Sequence, residues 1–501
     1  MTTVGSRTLF APNPPVVILG VPFDVVTRAE AVRLVEEMIL SRQPHYIVTP
    51  NVDFLVQAAE DLELRRILFE AHLVVCDGTP LVWASRWLGN PLPERVAGSD
   101  LVPLLLQLAA HRGYRVFFLG ASETSLTKAI PKLRDQYPGL KIAGSYSPPY
   151  NQLLAIDHEC IKARIVEASP DLLLVCLGCP KQEKWMAMHY RGLGVPVTAG
   201  VGGTIDFLAG QVKRAPRWIQ KAGLEWLFRL SQEPRRLFRR YTKDLWVFGR
   251  AILAQWWRMK PARKLRSGSE PSGIAEFVPP LAKTAVCQVT LPARLDAAAV
   301  TSECPGPPRQ LMTAQRFYFE ASSVEFVDST GVGWLIHWQK RLRAAESFLV
   351  LIAPSPALRR GLTLLRLDGF FLVADSLADA ERVVLNQLGA TPVRLLTKPA
   401  EREICEIALA WQGDITAANT GEVWEQTRKH LCAATSARWR IDLAHVPFMD
   451  SSGLGLLIRL KKLAQAEGRS LALVGMQPAV RNVVQMARLT EFFAETICQG
   501  A

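Results

Sequence analysis

Long uninterrupted apolar runs are missing from this chain of 501 residues. A membrane-spanning helix needs roughly 18 consecutive apolar residues, and the best candidate, residues 245–257, is interrupted by Arg250 and Gln255. The first residues also lack the basic region and apolar stretch of a secretory signal. We therefore expect neither a membrane-spanning helix nor a cleaved leader, and we expect a cytoplasmic setting.

Cysteine and metal-ligand motifs are sparse. The nine cysteines are scattered, and Cys176 and Cys179 form a C-x-x-C with no second Cys or His pair at zinc spacing. Small residues at the end of a strand explain this pair better than a metal or redox role does. No Asp-x-Asp motif is convincingly placed, so we expect metal-independent chemistry without a cofactor.

Positive charge is concentrated in one segment. The net charge is +13, and residues 213–266 hold sixteen Lys and Arg against three acidic residues, together with five of the thirteen tryptophans. A basic, Trp-rich amphipathic segment is typical of proteins that bind an anionic membrane surface. Nucleic-acid binding and a solvated helical face are the alternatives. Of the three we expect the membrane surface, and no nucleic acid.

Strand-like apolar runs alternate with helical stretches up to about residue 245. Such short runs are typical of strands buried on both faces, and they predict a parallel sheet covered by helices. Ligands of open α/β sheets bind beyond the carboxyl ends of the strands, so the loops after the runs are predicted to converge on one site. The runs are residues 46–49, 73–76, 115–119, 172–177 and 195–201, and their loops begin at Thr49, Asp77, Gly120, Gly178 and Gly202.

The last part of the chain contains an internal repeat. Residues 324–371 recur as residues 446–493 with a constant offset of 122. A repeat of this length indicates two copies of a whole domain. Before it, residues 261–282 are rich in Pro, Gly and Ser and predict a linker. We therefore divide the chain into an α/β domain at residues 1–245, a basic tail and linker at 246–282, and two small α/β modules at 283–392 and 393–501.

Short motifs run in order through residues 15–241. They are Thr49–Asp53, Asp77-Gly78, Arg95–Leu101, Pro170–Leu172, Gly178–Glu183, Gly200–Phe207, Arg214–Pro216, Gly223–Trp226 and Glu233–Arg236. Together they resemble the WecG/TagA/CpsF family, glycosyltransferase family 26. The resemblance implies a Rossmann-like domain that transfers an N-acetylmannosamine-like or related hexosyl group with inversion. It also implies a UDP-sugar donor and an acceptor sugar on undecaprenyl diphosphate, as in cell-surface polysaccharide synthesis.

The resemblance gives candidate roles to individual residues. Inversion needs a carboxylate that takes the proton of the attacking hydroxyl; Asp77 is the family's candidate, with a turn or cap aspartate as the alternative. Thr49 and Asn51 match the family's Thr-x-Asn and would hold sugar hydroxyls, or they only shape a turn. N–H groups around Gly202 and Gly203 would contact a phosphate. The other predicted substrate-binding residues are Asp53, Arg95, Gly98, Ser99, Asp100, Gly120, Gly178, Lys181, Gln182, Glu183, Thr204 and Asp206.

A departing diphosphate needs positive charge. Guanidinium groups suit this task because they bind phosphate oxygens bidentately and stay charged. The candidates are Arg214, Arg229, Arg235 and Arg236, and the resemblance implies that arginines of this appendage, from residue 213 onward, complete the site at the membrane. In one departure from the family's Asp-Gly-x-Gly, a proline occupies position 80, which stiffens the loop after the candidate base.

Residues 328–331 and 450–453 have the form Asp-Ser-Thr/Ser-Gly. They resemble the signature of the STAS domain, a family that includes the anti-sigma factor antagonists. The resemblance implies that a serine kinase phosphorylates Ser329 and Ser451 and that the modules bind an anti-sigma-type partner. An unmodified serine at a helix N-terminus is the alternative. Phosphorylation is less expected for Ser329, because Pro-Gly-Pro-Pro at residues 305–308 interrupts the first helix of that copy.

Two functions remain open on this evidence. The first is an enzyme at the inner face of the cell membrane, a hexosyltransferase whose output or location is set by the STAS modules. The second is a catalytically inactive scaffold with a transferase fold that acts in partner-switching signalling. The joint presence of Asp77, Thr49 and Asn51 favours the enzyme, since an inactive site has no reason to keep all three.

Overall fold

The structure is a computed structural model. It describes residues 13–149, 151–211, 215–216, 219, 225–232, 234–259, 277–278, 286–296, 299–300, 316–389, 392–396, 406–432 and 438–493. Within these ranges the chain forms a large α/β unit up to residue 259, followed by two smaller α/β units.

A parallel sheet forms the centre of the first unit. The strands of this unit are β1 (Val16–Ile18), β2 (Val21–Phe23), β3 (His45–Val48), β4 (Leu73–Val74), β5 (Arg115–Gly120), β6 (Lys141–Tyr146), β7 (Leu172–Cys176) and β8 (Val197–Gly200). The sheet has the order β4-β3-β8-β7-β5-β6, and its neighbouring strands are parallel. Every residue of β3, β7 and β8 is buried, which confirms the predicted parallel sheet with both faces covered.

Helices pack on both faces of this sheet. They are α1 (Arg28–Ser41), α2 (Val52–Glu60), α3 (Leu62–Glu70), α4 (Thr79–Trp87), α5 (Gly98–Arg112), α6 (Glu123–Gln136), α7 (His158–Ala168), α8 (Lys181–His189), α9 (Thr204–Ala209), α10 (Glu225–Gln232) and α11 (Pro234–Arg258), with short 3-10 turns at Leu153–Ala155 and Tyr190–Gly192. Alternate strand residues enter two separate cores: Tyr46 and Val48 face one, and Ile47 faces the other. This alternation is what a sheet between two helical layers requires.

The long helix α11, called the roof helix below, is amphipathic and fixed to the N-terminal β1–β2 hairpin. Its Phe248, Ile252 and Gln255 are buried. The Gln255 Oε1 accepts from the Leu19 N–H at 2.9 Å, and its Nε2 donates to the Val17 carbonyl oxygen at 2.9 Å. The division predicted at residue 245 therefore falls inside one continuous helix. Among the described helices, none is both long and apolar enough to span a membrane.

The two smaller units repeat one plan. The first has β9 (Phe277–Val278), β10 (Val286–Thr290), β11 (Arg294–Leu295), β12 (Arg316–Glu320), β13 (Phe326–Val327), α12 (Ser329–Ala344), β14 (Phe348–Ile352), α13 (Pro356–Leu364), β15 (Leu372–Ala374) and α14 (Leu377–Gly389). The second has β16 (Val393–Leu395), β17 (Glu406–Gln412), α15 (Thr420–Cys432), β18 (Arg438–His445), α16 (Ser451–Ala466), β19 (Ser470–Val474) and α17 (Pro478–Met486). Their main sheets have the orders β15-β14-β12-β10-β9 and β16-β17-β18-β19. Strand β9 lies within the segment predicted to be linker and pairs antiparallel with β10.

The first module shares a hydrophobic core with the first unit. Val17 of β1 and Phe69 of α3 belong to the same buried cluster as the core of this module. Helix α12 lies close to β1, since a Cβ on Gly333 would meet the Pro15 carbonyl oxygen at 2.0 Å. A glycine at this position is thus required for the close approach of the helix.

Candidate active site

A cleft of about 990 Å³ lies beyond the carboxyl ends of the sheet strands, under α10 and the roof helix. The loops after β3, β4, β7 and β8 line this cleft. The loop after β5, which was expected to join them, does not, because β7 separates β5 from β8 and places that loop farther out. The predicted site residues that line the cleft are Thr49, Asn51, Asp53, Asp77, Arg95, Ser99, Gly178, Gln182, Gly202, Gly203, Thr204 and Asp206.

Asp77 follows β4 closely and is half-buried in the cleft wall. Its backbone N–H donates to the Pro50 carbonyl oxygen at 3.0 Å, and its Oδ2 accepts from the Gly98 N–H at 3.4 Å. Burial raises the pKa of Asp77 to about 6, and the positive charge of Arg95 opposes this shift. A carboxyl group with such a pKa is ionised at neutral pH and is a stronger base than an exposed aspartate.

Thr49 and Asn51 also have structural partners. The Thr49 hydroxyl donates to the Gly200 carbonyl oxygen at 3.1 Å and thereby joins the end of β3 to the end of β8. Asn51 caps α2, because its Oδ1 accepts from the N–H groups of Asp53 at 3.0 Å and Phe54 at 3.4 Å. Both residues thus shape the turn after β3, and both line the cleft.

Gln182 connects the two glycine loops of the cleft. This buried side chain accepts through Oε1 from the Gly178 N–H at 3.3 Å and from the Gly202 N–H at 3.2 Å. The Thr204 N–H donates to the Val201 carbonyl oxygen at 3.3 Å. Gln182 thus positions both loops, and the N–H groups of Gly202 and Thr204 bond inside the protein. The phosphate contact of the Gly-Gly turn stays a prediction.

Arg95 connects three elements at the mouth of the cleft. Its Nη1 lies 2.6 Å from Glu225 Oε2 of α10, and its Nη2 lies 2.9 Å from Asp100 Oδ2 of α5. These two carboxylates raise the pKa of Arg95 against the opposing effect of burial. Burial has the largest effect on the pKa of Asp77, and the charges of Arg95, Glu225 and Asp100 adjust it further.

The roof helix presents a different arginine from those predicted. Arg240 lines the cleft, and its Nε lies 3.0 Å from Asp53 Oδ1 of α2. Of the four predicted arginines, Arg235 is exposed and does not line the cleft. Arg214 lies outside the described residues, as do the side chains of Arg229 and Arg236. Sequence alone could not select Arg240, because the rotation of a long, Arg-rich helix is set by packing.

Several other predicted residues lie outside the cleft lining. Lys181 donates through Nζ to the Asn151 carbonyl oxygen at 2.8 Å. Glu183 is fully buried, and burial raises its pKa to about 7. Gly120 packs against β7, where a Cβ would meet the Cys176 carbonyl oxygen at 2.6 Å.

Two further predicted residues, Gly98 and Asp100, support the site without lining it. Gly98 donates its N–H to Asp77, and Asp100 pairs with Arg95.

A second carboxyl group with a raised pKa was missed by sequence reasoning. Asp244 of the roof helix lines the cleft and is 7% exposed. Burial, and next the charge of Asp53, raise its pKa to about 6, and Arg240 lies 3.8 Å away. The cleft therefore contains two candidate bases, one on the sheet and one on the roof.

Apolar side chains also line the cleft. They include Phe248 and Ile252 of the roof helix and Trp83 and Trp87 of α4. The two tryptophans are 45% and 64% exposed. Arg86 lies between them in sequence and also lines the cleft. The cavity is thus amphipathic, with carboxyl and hydroxyl groups at the strand ends and aromatic and aliphatic groups on α4 and the roof helix.

The two predicted phosphorylation sites begin equivalent helices. Ser329 and Ser451 are the first residues of α12 and α16, and the side chains of Asp328 and Asp450 cap these helices. Ser329 is 2% exposed and Ser451 is 5% exposed. Both serines are therefore buried in this arrangement, and their phosphorylation stays a prediction.

In the described part of the chain, no group of three or more His, Cys, Asp or Glu side chains is placed to hold a metal ion. Cys176 and Cys179 are free thiols, and burial raises the pKa of both.

Models of known protein families match both parts of the chain. Residues 310–374 and 401–495 match the Mlab, STAS domain family. A structure of the anti-sigma factor antagonist SpoIIAA in its unphosphorylated form aligns with 16% identity and a TM-score of 0.18, covering 22% of this chain and 89% of that one.

The first unit is similar in sequence to named transferases. It is 34% identical over 191 residues to an N-acetylglucosaminyldiphosphoundecaprenol N-acetyl-beta-D-mannosaminyltransferase of Bacillus spizizenii, covering 38% of this chain and 72% of the relative. It is 31% identical over 224 residues to an enzyme of the same name from Staphylococcus aureus, covering 44% and 86%. Residues 16–262 match the model of the glycosyl transferase WecG/TagA/CpsF family. The chain is therefore a member of the WecG/TagA/CpsF family of glycosyltransferases, with two STAS domains after the transferase.

Proposed function

We propose that the cleft transfers a hexosaminyl or related hexosyl group, with inversion, from a UDP-sugar to a sugar carried on a polyprenyl diphosphate. The observation that carries this proposal is the position of Asp77, a carboxyl group of raised pKa at the strand ends of an amphipathic cleft. The names of the relatives support an undecaprenyl-diphosphate-linked N-acetylglucosamine as the acceptor. N-acetylmannosamine is the transferred sugar in those names. For this chain we propose the broader class of donors that carry this or a related hexosyl group.

In the proposed reaction the acceptor hydroxyl attacks the anomeric carbon of the donor while Asp77 takes the hydroxyl proton. The new bond joins the acceptor oxygen to that carbon, and the bond to the UDP oxygen breaks with its electron pair leaving on the diphosphate. Attack from the side opposite the leaving group inverts the configuration. The Arg86 and Arg240 guanidinium groups, which line the cleft, would stabilise the departing charge.

The amphipathic shape of the cleft suits a lipid-linked acceptor. The sugar and diphosphate would lie near Asp77, Thr49 and Asn51, and the prenyl chain would pass between α4 and the roof helix. The exposed Trp87, Trp246 and Trp257 would enter the interface of the inner face of the cell membrane. We expect replacement of Trp246 and Trp257 by Ala to reduce binding to anionic vesicles. If the segment bound DNA instead, these two changes would have little effect, and loss of Lys and Arg would abolish binding.

A donor screen tests the proposed function. The purified chain is incubated with UDP-hexoses and a short-chain prenyl-diphosphate N-acetylglucosamine, and UDP release is measured. We expect release with at least one N-acetylhexosamine donor and its loss in Asp77→Asn. Release that persists in Asp77→Asn would remove the proposed base, and no release with any donor would favour a scaffold. We further propose that the STAS domains regulate this activity through a kinase or an anti-sigma-type partner.

A further inference from the structure

The second STAS module meets the transferase through the start of α16. The Ser451 N–H donates to Glu63 Oε1 at 2.5 Å, and the Ser451 hydroxyl donates to Glu63 Oε2 at 2.8 Å. Glu63, on α3 of the transferase, is only 1% exposed. Lys184 of α8 lies 2.8 Å from Glu63 Oε2 and balances its charge. A carboxylate of the transferase therefore occupies the N-terminal end of the module's helix, where the helix dipole favours negative charge.

The same transferase helix holds both modules. One turn after Glu63, the Arg66 Nη2 lies 2.5 Å from Asp414 Oδ2, and its guanidinium lies 4.3 Å from the centre of the Phe448 ring, so it binds the second module twice. The following turn of α3 binds the first module. There the Phe69 and Phe370 ring centres are 4.6 Å apart, and Glu70 Oε1 lies 2.9 Å from Arg343 Nη1.

We propose that α3 of the transferase is the binding partner of the second STAS module, and that a negative charge placed on Ser451 releases the module. Glu63 already fills the space in front of the Ser451 hydroxyl, so a phosphate or carboxylate there would face a buried like charge. Buried like charges repel strongly because little water screens them. The surroundings already show this strain: burial, and next the charge of Glu63, raise the pKa of Asp450 to about 7.

The geometry also defines the kind of outside partner that the module would accept. Such a partner presents a carboxylate to the Ser451 N–H and a guanidinium to Asp414 and Phe448, as Glu63 and Arg66 do. It therefore competes with α3 for one surface. Charge on Ser451 weakens both complexes, because both require a carboxylate at this helix terminus.

Release of the module has a structural route to the cleft. Helix α3 packs against α2, and α2 carries Asp53, which holds Arg240 of the roof helix. Loosening α3 thus loosens the contact that keeps the roof in place. This last step rests on the proposed function, whereas the docking itself does not.

Hydrogen exchange of the full chain tests the docking. Ser451→Glu is compared with Ser452→Glu, which adds the same charge one residue later, at a half-buried position whose side chain is not bonded to Glu63. We expect amides of residues 62–70 and 451–453 to exchange about tenfold faster or more in Ser451→Glu, since a hydrogen bond to a charged group is lost. Ser452→Glu is expected to match the unchanged chain. Adding Glu63→Gln to Ser451→Glu should restore slow exchange, because the repulsion is gone.

Equal exchange in the two serine variants, or no restoration by Glu63→Gln, would overturn the proposal. Ser451→Glu could unfold the second module, and faster exchange in β17 and β18 would reveal this. In that case Glu63→Ala tests the docking with a change in the transferase only. It should speed exchange at residues 451–453 and leave β18 protected; no change there would also overturn the proposal. UDP release is measured in the same variants. Absence of activity in all of them would refute the proposed function and leave the exchange result intact.

Discussion

The Arg240 guanidinium of the roof helix forms a paired contact with the Asp53 carboxylate of α2, with Nε 3.0 Å from Oδ1 and Nη2 bonded to Oδ2. The same carboxylate accepts from Gln57 Nε2 at 2.7 Å. Two parallel N–H···O bonds fix both the distance and the angle between the groups. The contact therefore sets the position of the roof helix over the cleft.

Loss of this contact should impair catalysis more than stability. In Arg240→Ala the roof is free to shift, and a displacement of about 1 Å at a site of this kind costs up to about 100-fold in rate. We expect kcat/KM for UDP release to fall between about 10-fold and 100-fold. Arg239→Ala removes the exposed neighbouring charge and should change little. Equal losses in the two variants would point to a general electrostatic effect of the helix instead.

The pH dependence of the reaction should report Asp77. Its pKa is raised to about 6, and the carboxylate must be ionised to accept a proton, so kcat/KM should rise as pH increases through about 6 and then level off. Arg95 and the Gly98 N–H lower this pKa, whereas Glu225 and Asp100 raise it. Glu225→Gln should therefore shift the rise to lower pH. A shift to higher pH, or none, would contradict the assignment of this limb to Asp77.

Asp244 provides the matched comparison for that assignment, because burial raises its pKa to a similar value of about 6. Asp77→Asn should reduce the rate by about 10²- to 10⁴-fold, the usual contribution of a general base. Asp244→Asn should leave the rise near pH 6 in place, since the proposed base is unchanged. If the rise of kcat/KM near pH 6 were lost in Asp244→Asn but kept in Asp77→Asn, Asp244 of the roof helix would be the base.

Two neighbouring residues of α8 should respond differently to truncation. Gln182→Ala leaves the N–H groups of the half-buried Gly178 and Gly202 without their protein acceptor, at a combined cost of about 1–3 kcal/mol. We expect a clear loss in thermal stability and in kcat. Lys181→Ala removes a partly exposed contact to Asn151 outside the cleft and should change stability by no more than about 0.5 kcal/mol. Reduced substrate affinity in Lys181→Ala would restore the substrate contact expected from sequence.

The sequence predicted those features that depend on residues close together in the chain, such as the ends of strands and the starts of helices. Apolar runs followed by turn residues located the carboxyl ends of β3, β4, β7 and β8, and the cleft lies there because parallel strands end at one edge of the sheet. The loop at Gly120 was misplaced because the order of strands in a sheet cannot be read from their order in the chain. The repeat offset likewise located the helices that begin at Ser329 and Ser451.

Long-range packing accounts for what the sequence did not reveal. Arg240 was indistinguishable from the other arginines of the tail, since the buried face of α11 is set by its contact with α2 and the β1–β2 hairpin. Glu63 and Ser451 are 388 residues apart, and no local pattern predicts that they meet. The sequence also did not reveal that Trp83 and Trp87 of α4 line the same cleft as Phe248 and Ile252 of the roof helix.

The two repeat copies offer a direct test of how the first module is attached. Gly333 and Gly455 occupy equivalent positions in α12 and α16, but a Cβ on Gly333 would meet the Pro15 carbonyl oxygen at 2.0 Å, whereas a Cβ on Gly455 meets nothing within 4 Å. Gly333→Ala should therefore destabilise the contact between α12 and β1 by about 1–3 kcal/mol, the usual cost of overpacking.

Gly455→Ala should instead stabilise α16 by up to about 1 kcal/mol, because alanine favours a helix over glycine. Thermal unfolding and hydrogen exchange of the α12 and β1 amides in the full chain distinguish the two variants. Faster exchange in Gly333→Ala alone would show that the first module depends on a close backbone approach to the N-terminal hairpin. If Gly333→Ala were as stable as Gly455→Ala, the module would have to sit farther from β1 in solution than the glycine allows, and its shared core with Val17 and Phe69 would not form.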